Sequence, residues 1–429
     1  MPVRLRAEAM RGRQSLIMKY FAAVALVWLG CALAWVVLGA TLVHRSGETS
    51  GELTTEVDKL WGPPLSQSPP TATYEQPERV RQKTTTLTAQ GRSEEQWVER
   101  DVVKTLTLPL ASSDLRAQLR LQHRQKGLLW FATYGVDFSG KYEFVNDTKT
   151  EQLVQTGFPL EAGGSVFDGF GIEDEHGAPR PYRVVENVAL FSESLAPGKK
   201  LAFRVHYRAR GRSSFRYAVT EGTGRVEHFV LKMSTDFADV NFPSGTLSPS
   251  RHAASANAWS GEWRFDSLVA NAGIGVELPQ KLNPGPLASR ITFFAPVGLL
   301  FFMFVAAVLG AARGTKLHPM HYLFIGCAFF AFHLLFAYTV DHLPLELAFA
   351  LASVVSVLLV VSYGRLFLGL TRATLLLGVP QLLYLVLFSA TFFWQGYTGL
   401  AVAVGAVLTL FVMMQMTGRA RWDAAAQPQ

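Results

Sequence analysis

Residues 291–416 form an almost unbroken apolar sequence, and this stretch limits the possible folds more than any other feature of the chain. A bilayer core of about 30 Å is crossed by about 20 helical residues. Five segments meet that length, at 291–312, 322–340, 345–363, 374–394 and 400–416. A sixth segment, 20–43, contains no charged residue and precedes a long polar region. The sequence therefore predicts an α-helical bundle of six spans, one before and five after an inserted domain.

The first apolar segment is either an uncleaved anchor or a signal peptide. A signal peptide has an apolar core of roughly 7–15 residues followed by a cleavage site with small residues. The segment 20–43 is longer than this core, and it ends in Leu42-Val43-His44-Arg45, which is a poor cleavage site. We therefore expect an anchor, with the basic residues 1–19 in the cytoplasm.

Positive charge in the loops predicts the orientation of the six helices. Every Lys or Arg after residue 290 falls in one of three intervals, which contain Arg313 and Lys316, Arg365 and Arg372, and Arg419 and Arg421. Cytoplasmic loops of membrane proteins are enriched in these residues. Counting spans from a cytoplasmic N-terminus puts all three intervals, including the tail 417–429, in the cytoplasm. Residues 44–290 are then outside the cytoplasm, which for a bacterial inner-membrane protein means in the periplasm.

The polar region 44–290 has the pattern of a β-rich domain. Leu201, Phe203, Val205 and Tyr207 alternate with polar residues, and turn residues separate many such short runs. This pattern favours an antiparallel, sandwich-like body. The proline-containing interval 66–82 is a linker or an extended edge. Both cysteines lie in apolar segments, so the polar domain folds without a disulfide.

Composition and motifs argue against several classes of function. The net charge of +7 does not indicate nucleic-acid binding, because much of the basic charge outside the polar domain lies in loops beside apolar helices. The chain contains no His-Glu-x-x-His, Gly-x-Ser-x-Gly, P-loop or Gly-x-Gly-x-x-Gly sequence. We therefore expect a protein that is not an enzyme, with no catalytic residue, no cofactor and no metal site.

The turn before the third apolar helix contains the first candidate functional residues, His318, Pro319 and Met320. His318 and His321 are three residues apart and can share one helix face, as two ligands of a metal would. A metal site would need one or two further ligands, and none is close in sequence. The alternative is a structural cap, with Pro319 at an early helical position.

His333 is a candidate because it lies near the middle of the third apolar segment. An ionisable side chain at membrane depth is costly and usually faces a partner or a cavity. His333 either lines a functional cavity or bonds to a neighbour such as Gln381, Tyr384 or Tyr338.

Asp341 and His342, with Glu346, are candidates at the outer end of the same segment. They could form a docking point or a pH- or metal-responsive contact. The alternative is an ordinary helix start with Pro344 in the first turn.

Four arginines around Gly211 predict a basic hairpin, formed by Arg208, Arg210, Arg212 and Arg216. Its tip would be either a solvated turn or a site for anionic lipid headgroups.

Residues 316–323, Lys-Leu-His-Pro-Met-His-Tyr-Leu, resemble the (R/K)LHPMxYL turn of the CreD family of bacterial inner-membrane proteins. The stretch 59–63 resembles the family's KLxGP sequence, and Asp341-His342 resembles its acid-His pair. Further resemblances are an AxxxAS pattern at Ala348, Ala352 and Ser353, and a basic tail that contains tryptophan. The order of parts is similar over essentially the whole chain. The resemblance implies a role in envelope integrity and envelope stress, with no assigned reaction.

These observations predict an inner-membrane protein that supports envelope integrity through a periplasmic sensing or interaction domain. The alternative is a translocator of lipids or small molecules that uses a cavity in the helix bundle. Expected partners are the lipid bilayer, envelope proteins or anionic headgroups, and not nucleic acid. The oligomeric state is left open.

Overall fold

A computed structural model describes most of the chain, in two compact units. The described residues are 2–87, 93–127, 129–160, 165–219, 221, 225–269, 272–312, 317–394 and 396–418. The helical unit comprises Met1–Glu52 and Leu282–Gln429, and the β-rich unit is Leu53–Lys281. The loop and tail cations Arg313, Lys316, Arg419 and Arg421 lie outside the described residues.

Six helices in the described ranges are long and apolar enough to cross a membrane. They are α1 (Pro2–Trp61), α2 (Pro284–Ala312), α3 (Pro319–Thr339), α4 (Leu345–Leu368), α5 (Leu370–Phe393) and α6 (Thr398–Thr417). α5 contains two π-helical segments, Thr374–Gly378 and Leu382–Leu387. The boundary between the two units falls inside α1.

The helices of this unit pack against one another largely through aromatic side chains. Phe302 of α2 and Phe329 of α3 are fully buried, with ring centroids 5.4 Å apart. Phe349 of α4 meets Phe336 of α3 edge-on at 5.7 Å. By contrast, among the α6 residues whose side chains are described, only Met413 is buried. α6 is therefore the least closely packed of the six helices.

The β-rich unit has fifteen strands in the described ranges. They are β1 (Leu65–Gln67), β2 (Thr71–Leu87), β3 (Ser93–Leu108), β4 (Leu110–Lys126), β5 (Leu129–Val145), β6 (Gln152–Pro159), β7 (Phe167–Asp174), β8 (Arg183–Val185), β9 (Val188–Leu195), β10 (Lys200–Arg212), β11 (Ser214–Tyr217), β12 (Val226–Thr235), β13 (Arg251–Ala254), β14 (Trp259–Leu268) and β15 (Ile274–Glu277).

The strands form three sheets. A seven-stranded sheet has the order β13-β14-β12-β4-β5-β10-β7, a five-stranded sheet β3-β2-β6-β9-β8, and a three-stranded sheet β1-β11-β15. Most pairs are antiparallel, and the exceptions in the described ranges are β12 with β4 and β1 with β11. Six apolar helices and a large β-rich domain of mainly antiparallel sheets confirm the predicted fold class.

Alternation along the strands builds the large hydrophobic core of the β-rich unit. In β10, Phe203, Val205 and Tyr207 are buried, while the residues between them are partly exposed. Tyr207 stacks on Phe138 of the neighbouring β5, with ring centroids 4.9 Å apart. The predicted alternation in β10 is therefore confirmed.

The predicted basic hairpin around Gly211 is wrong. Gly211 lies inside β10, opposite Tyr134 of β5, and Arg216 belongs to β11, which pairs with β1 and β15. A Cβ on Gly211 would lie 2.4 Å from the Tyr134 hydroxyl oxygen. This glycine therefore permits a close approach in a sheet and does not make a turn. The interval 66–82, left open as linker or extended edge, lies largely in β1 and β2.

The last turns of α1 pack on the β-rich unit, to which they belong. Val57 is buried against Leu129 and Phe131 of β5. Asp58 accepts two hydrogen bonds from Arg212, at 2.6 Å to Nε and 3.1 Å to Nη2. Trp61 donates from Nε1 to the Tyr134 carbonyl oxygen at 3.3 Å. An ion pair, an apolar contact and a hydrogen bond thus hold this end of the helix.

Candidate functional site

The turn before α3 has the geometry of a helix cap. The Met320 backbone N–H donates to His318 Nδ1 at 3.3 Å, and Pro319 occupies the first turn. Proline suits this position because its missing N–H would have no partner there. His318 takes the place that Ser, Thr or Asp usually fills as the capping residue.

His321 has a different environment from His318. Its Nδ1 lies 2.9 Å from the Tyr363 hydroxyl of α4, and its ring stacks on Phe367 at 4.1 Å. The two histidines thus contact separate partners. Among the described residues, no group of three or more His, Cys, Asp or Glu side chains is arranged to hold a metal ion.

His333 of α3 is buried against α1. Its Nδ1 lies 3.0 Å from the Phe329 carbonyl oxygen one turn earlier, so Nδ1 carries the proton. Its ring lies edge-on to Trp35, with centroids 5.6 Å apart. His333 Nε2 and Trp35 Nε1 are both buried and lack a hydrogen-bond partner in the described part of the chain. The bonded neighbour is thus its own helix, and not Gln381, Tyr384 or Tyr338.

Gln381 and Tyr384, both on α5, bond to two different helices. Gln381 Nε2 donates to Ser356 Oγ of α4 at 2.7 Å, and Ser356 Oγ donates to the Ala328 carbonyl oxygen of α3 at 2.9 Å. The Tyr384 hydroxyl lies 2.8 Å from Thr409 Oγ1 of α6. Sequence reasoning missed Ser356, although a serine inside an apolar helix is a signal of helix–helix hydrogen bonding.

Asp341 forms an ion pair that joins α1 to the end of α3. Arg45 Nη2 lies 2.8 Å from Asp341 Oδ2 and 3.4 Å from the Ala337 carbonyl oxygen. The guanidinium also lies 5.2 Å from the ring centre of Tyr338. His342 and Glu346 are exposed, and no ion pair joins them in the described structure. Sequence reasoning missed Arg45, whose place at the end of the first apolar segment was the available signal.

A cavity of about 330 Å³ lies between α2, α5 and α6. Phe301, Tyr384 and Phe388 line one side, and Gly405 and Thr409 of α6 line the other. The hydrogen-bonded Tyr384–Thr409 pair is therefore part of its wall. The π-helical segment Leu382–Leu387 forms part of the same wall, and π-helical segments are often found at functional sites.

The match to known families covers almost the entire chain. A family model described as inner membrane protein CreD matches residues 15–423. The chain belongs to the CreD family. As a CreD-family inner membrane protein, it combines membrane helices with a β domain, and its resemblance to the family in sequence is confirmed.

Other comparisons add nothing about the activity of this CreD-family chain. A search of curated proteins found no match. One solved structure with a detectable match is a candidate nutrient-binding protein of Legionella pneumophila, 10% identical, with a TM-score of 0.31. The match covers 57% of this chain and 87% of that one.

His333→Phe should leave the thermal stability of the protein unchanged or slightly raised. The substitution keeps an aromatic ring against Trp35 and removes a buried nitrogen without a partner, which costs about 1–3 kcal/mol. His333→Ala should instead lower stability by about 2–4 kcal/mol, because it leaves a cavity. Thermal unfolding of the purified protein in detergent measures both, with the exposed Leu334→Ala as a control. Equal losses for the Phe and Ala variants would show that the imidazole has a polar partner.

Proposed function

We propose that this CreD-family protein supports the integrity of the cell envelope and its response to stress without catalysing a reaction. In this proposal the β-rich unit senses or binds an envelope component, and the helices anchor it. The supporting observation is the separation of the polar groups in the bundle. His333 bonds within its own helix α3, Gln381 bonds to α4 and Tyr384 bonds to α6, whereas a catalytic centre would bring such groups together at one cavity.

The proposed orientation has both termini in the cytoplasm and residues 44–290 in the periplasm. It is supported by the cations after residue 290, which fall only in alternate inter-helix intervals and the tail. The intervals 341–344 and 395–399 contain no Lys or Arg. Cytoplasmic loops are the ones that carry this excess of positive charge.

Complementation of a deletion strain tests the proposed function. Wild type, His318→Ala, His318→Asn and a chain lacking 53–281 are compared at equal membrane levels, by sensitivity to detergent and cell-wall antibiotics. We expect wild type and His318→Asn to restore resistance and the shortened chain to fail. Asparagine is the matched control because it can cap the helix as His318 does.

Two results would overturn the proposal. One is a deletion strain with unchanged permeability and stress tolerance under all conditions tried. The other is full resistance restored by the chain that lacks 53–281, because the β-rich unit would then have no part in the function. Failure of His318→Ala alongside a working His318→Asn would assign the cap a role in assembly.

The cavity between α2, α5 and α6 favours a second candidate function, the translocation of a lipid or another apolar molecule. Its wall is apolar except for hydroxyl groups such as the Tyr384–Thr409 pair. Such a site suits an acyl chain with one hydrogen-bonding group, because a mainly apolar cavity holds water poorly.

Gly405→Phe should abolish lipid retention if the cavity holds a lipid. A Cβ on Gly405 would meet open space, so the larger ring can enter the cavity without disturbing the helices. Val404→Phe is the matched control, because Val404 is the exposed neighbour and does not line the cavity. Native mass spectrometry should detect bound lipid on wild type and Val404→Phe only. A wild-type protein without lipid would count against translocation.

A further inference from the structure

One row of side chains crosses the outer face of the seven-stranded sheet. From β5 to β13, strand pairing places Ser139 opposite Arg116, Arg116 opposite Lys232, Lys232 opposite Glu262, and Glu262 opposite Arg251. All five side chains are at least partly exposed, and the residues that alternate with them on β4, β5, β12 and β14 point into the core. Three of the five are cations and one is an acid.

Four other cations on this face have acidic partners. These pairs are Arg120 with Asp137, Arg208 with Asp168 at 2.7 Å, Lys200 with Glu143 at 3.3 Å, and Arg264 with Glu262 at 2.8 Å. In contrast, Arg116, Lys232 and Arg251 form no ion pair within 4.0 Å among the described residues. Like charges directly opposite one another on a sheet are destabilising. The Arg116–Lys232 pairing therefore weakens the free protein.

Glu262 does not neutralise this row. Its carboxylate already accepts hydrogen bonds from Arg264, at 3.1 Å from Nε and 2.8 Å from Nη2. Arg264 lowers the pKa of the Glu262 carboxyl, and Lys232 and Arg251 add to that effect. The Glu262 carboxylate is thus already paired with Arg264, while Arg116 lies on the far side of Lys232. The row has a surplus of positive charge.

The row forms one side of an open trough of about 510 Å³. We call it the basic trough and define it by Arg116, Lys232 and Arg251. The next row of the sheet adds Gln118 and Ser234, which lie opposite each other, and Asp137, whose charge is paired with Arg120. The side chains of Gln118, Ser234 and Ser139 make no hydrogen bond to any residue that the structure describes. The basic trough therefore presents unpaired cations beside unpaired hydroxyl and amide groups.

We propose that the basic trough binds an acidic sugar, a saccharide that carries a phosphate or a carboxylate. The anion lies between Arg116 and Lys232, where it removes the repulsion of the two cations. A guanidinium binds either anion through two parallel hydrogen bonds, and an ammonium adds a point charge. Ser139, Ser234 and Gln118 bond to sugar hydroxyls, since each can both donate and accept. The proposal deepens the interaction role proposed for the β-rich unit by naming a class of ligand.

Titration of the full-length protein in detergent tests this assignment, by calorimetry in a buffer of low ionic strength without phosphate. The probes are glucose 6-phosphate, glucuronate, inorganic phosphate and glucose. Arg116→Gln and Lys232→Gln are the test variants. Arg183→Gln is the matched control, because Arg183 is an exposed strand cation that forms no ion pair in the described ranges.

We expect both acidic sugars to bind to wild type and to the control, phosphate to bind more weakly, and glucose not to bind. Each test variant should raise Kd by about tenfold or more, because a charged hydrogen bond is lost. Without ligand, both test variants should melt at the same or a higher temperature than wild type. If these cations had only a structural role, replacing them would lower the melting temperature.

Four results would overturn the proposal. They are no saturable binding of either acidic sugar, equal binding by the test variants and the control, phosphate binding as tight as glucose 6-phosphate, and a lower melting temperature of both ligand-free variants. If phosphatidylglycerol vesicles bind wild type but not the test variants, and neither acidic sugar binds, the ligand of the basic trough would be a lipid surface and not a sugar. If the protein binds the acidic sugars but the complementation experiment fails, the proposed envelope role would be refuted and the proposed binding site would stand.

Discussion

Gly62→Ala should lower the melting temperature of the β-rich unit by about 4–16 °C. Gly62 follows the last residue of α1 and has φ +119°, a conformation that strains any residue with a Cβ. A Cβ there would also lie 2.6 Å from the Arg210 carbonyl oxygen. Strained backbone of this kind costs about 1–3 kcal/mol, and the clash adds to it. About 2–4 kcal/mol is expected in total, and each kcal/mol shifts the midpoint by about 2–4 °C in a domain of this size.

The neighbouring backbone cannot move aside easily, because Arg210 is paired with Gly135 of β5 in the seven-stranded sheet. Thermal unfolding followed by β-sheet circular dichroism measures the effect. Gly47→Ala is the matched control, since Gly47 lies inside α1 and a Cβ there meets nothing within 4 Å. That change should stabilise the protein by about 0.5–1 kcal/mol. A Gly62→Ala protein that melts like wild type would contradict the close approach.

Asp58→Ala should destabilise the β-rich unit by about 2–3 kcal/mol. The Asp58 and Arg212 side chains are 26% and 18% exposed, and both Asp58 oxygens accept from the guanidinium. Breaking a fully buried pair costs about 3–5 kcal/mol, whereas an exposed pair is worth about 0–1 kcal/mol. The Asp58–Arg212 pair is intermediate in burial, so its expected cost lies between these two ranges. Removing Asp58 leaves a mostly buried guanidinium whose one remaining acceptor among the described residues is Ser213 Oγ, at 3.0 Å from Nη1.

A double-mutant cycle with Arg212→Ala separates the pair from its surroundings. The double variant should be less destabilised than the sum of the two single variants. Asp101→Ala is the control, because the Arg79–Asp101 pair is 76% and 72% exposed and should contribute no more than about 1 kcal/mol. Additive effects at Asp58 and Arg212 would show that the two charges do not interact.

The contacts around Asp58 and Gly62 give a structural role to the stretch 59–63, which resembles the KLxGP sequence of the CreD family. Its glycine allows the chain to pass close to β10, and its tryptophan lies under two cations. The guanidiniums of Arg124 and Arg210 are 3.5 Å and 4.5 Å from the Trp61 ring centre. Cation–π contacts of this kind contribute about 0.5–2 kcal/mol each. The stretch therefore ends α1 and holds the last turns of that helix within the β-rich unit, to which they belong.

Local features of this protein could be predicted from the sequence, because they depend on residues close together in the chain. The six apolar helices follow from length and hydrophobicity alone. The continuation of the first helix as far as Trp61 follows from the position of Gly62 and Pro63, which end it. The cap at His318 and Pro319 has the same origin, since a capping side chain and the backbone N–H that donates to it lie within one turn.

Tertiary structure alone decided which distant groups meet. Arg45 and Asp341 are 296 residues apart, and nothing in either segment specifies the other as its partner. Gly211 was mistaken for a turn residue because a glycine permits both a turn and a close approach, and only the position of Tyr134 distinguishes them. Parallel pairing of β12 with β4, which brings Lys232 opposite Arg116, joins strands with 99 residues between them. The pattern within a strand fixes which face a residue occupies, but register between distant strands is fixed by packing of the whole core.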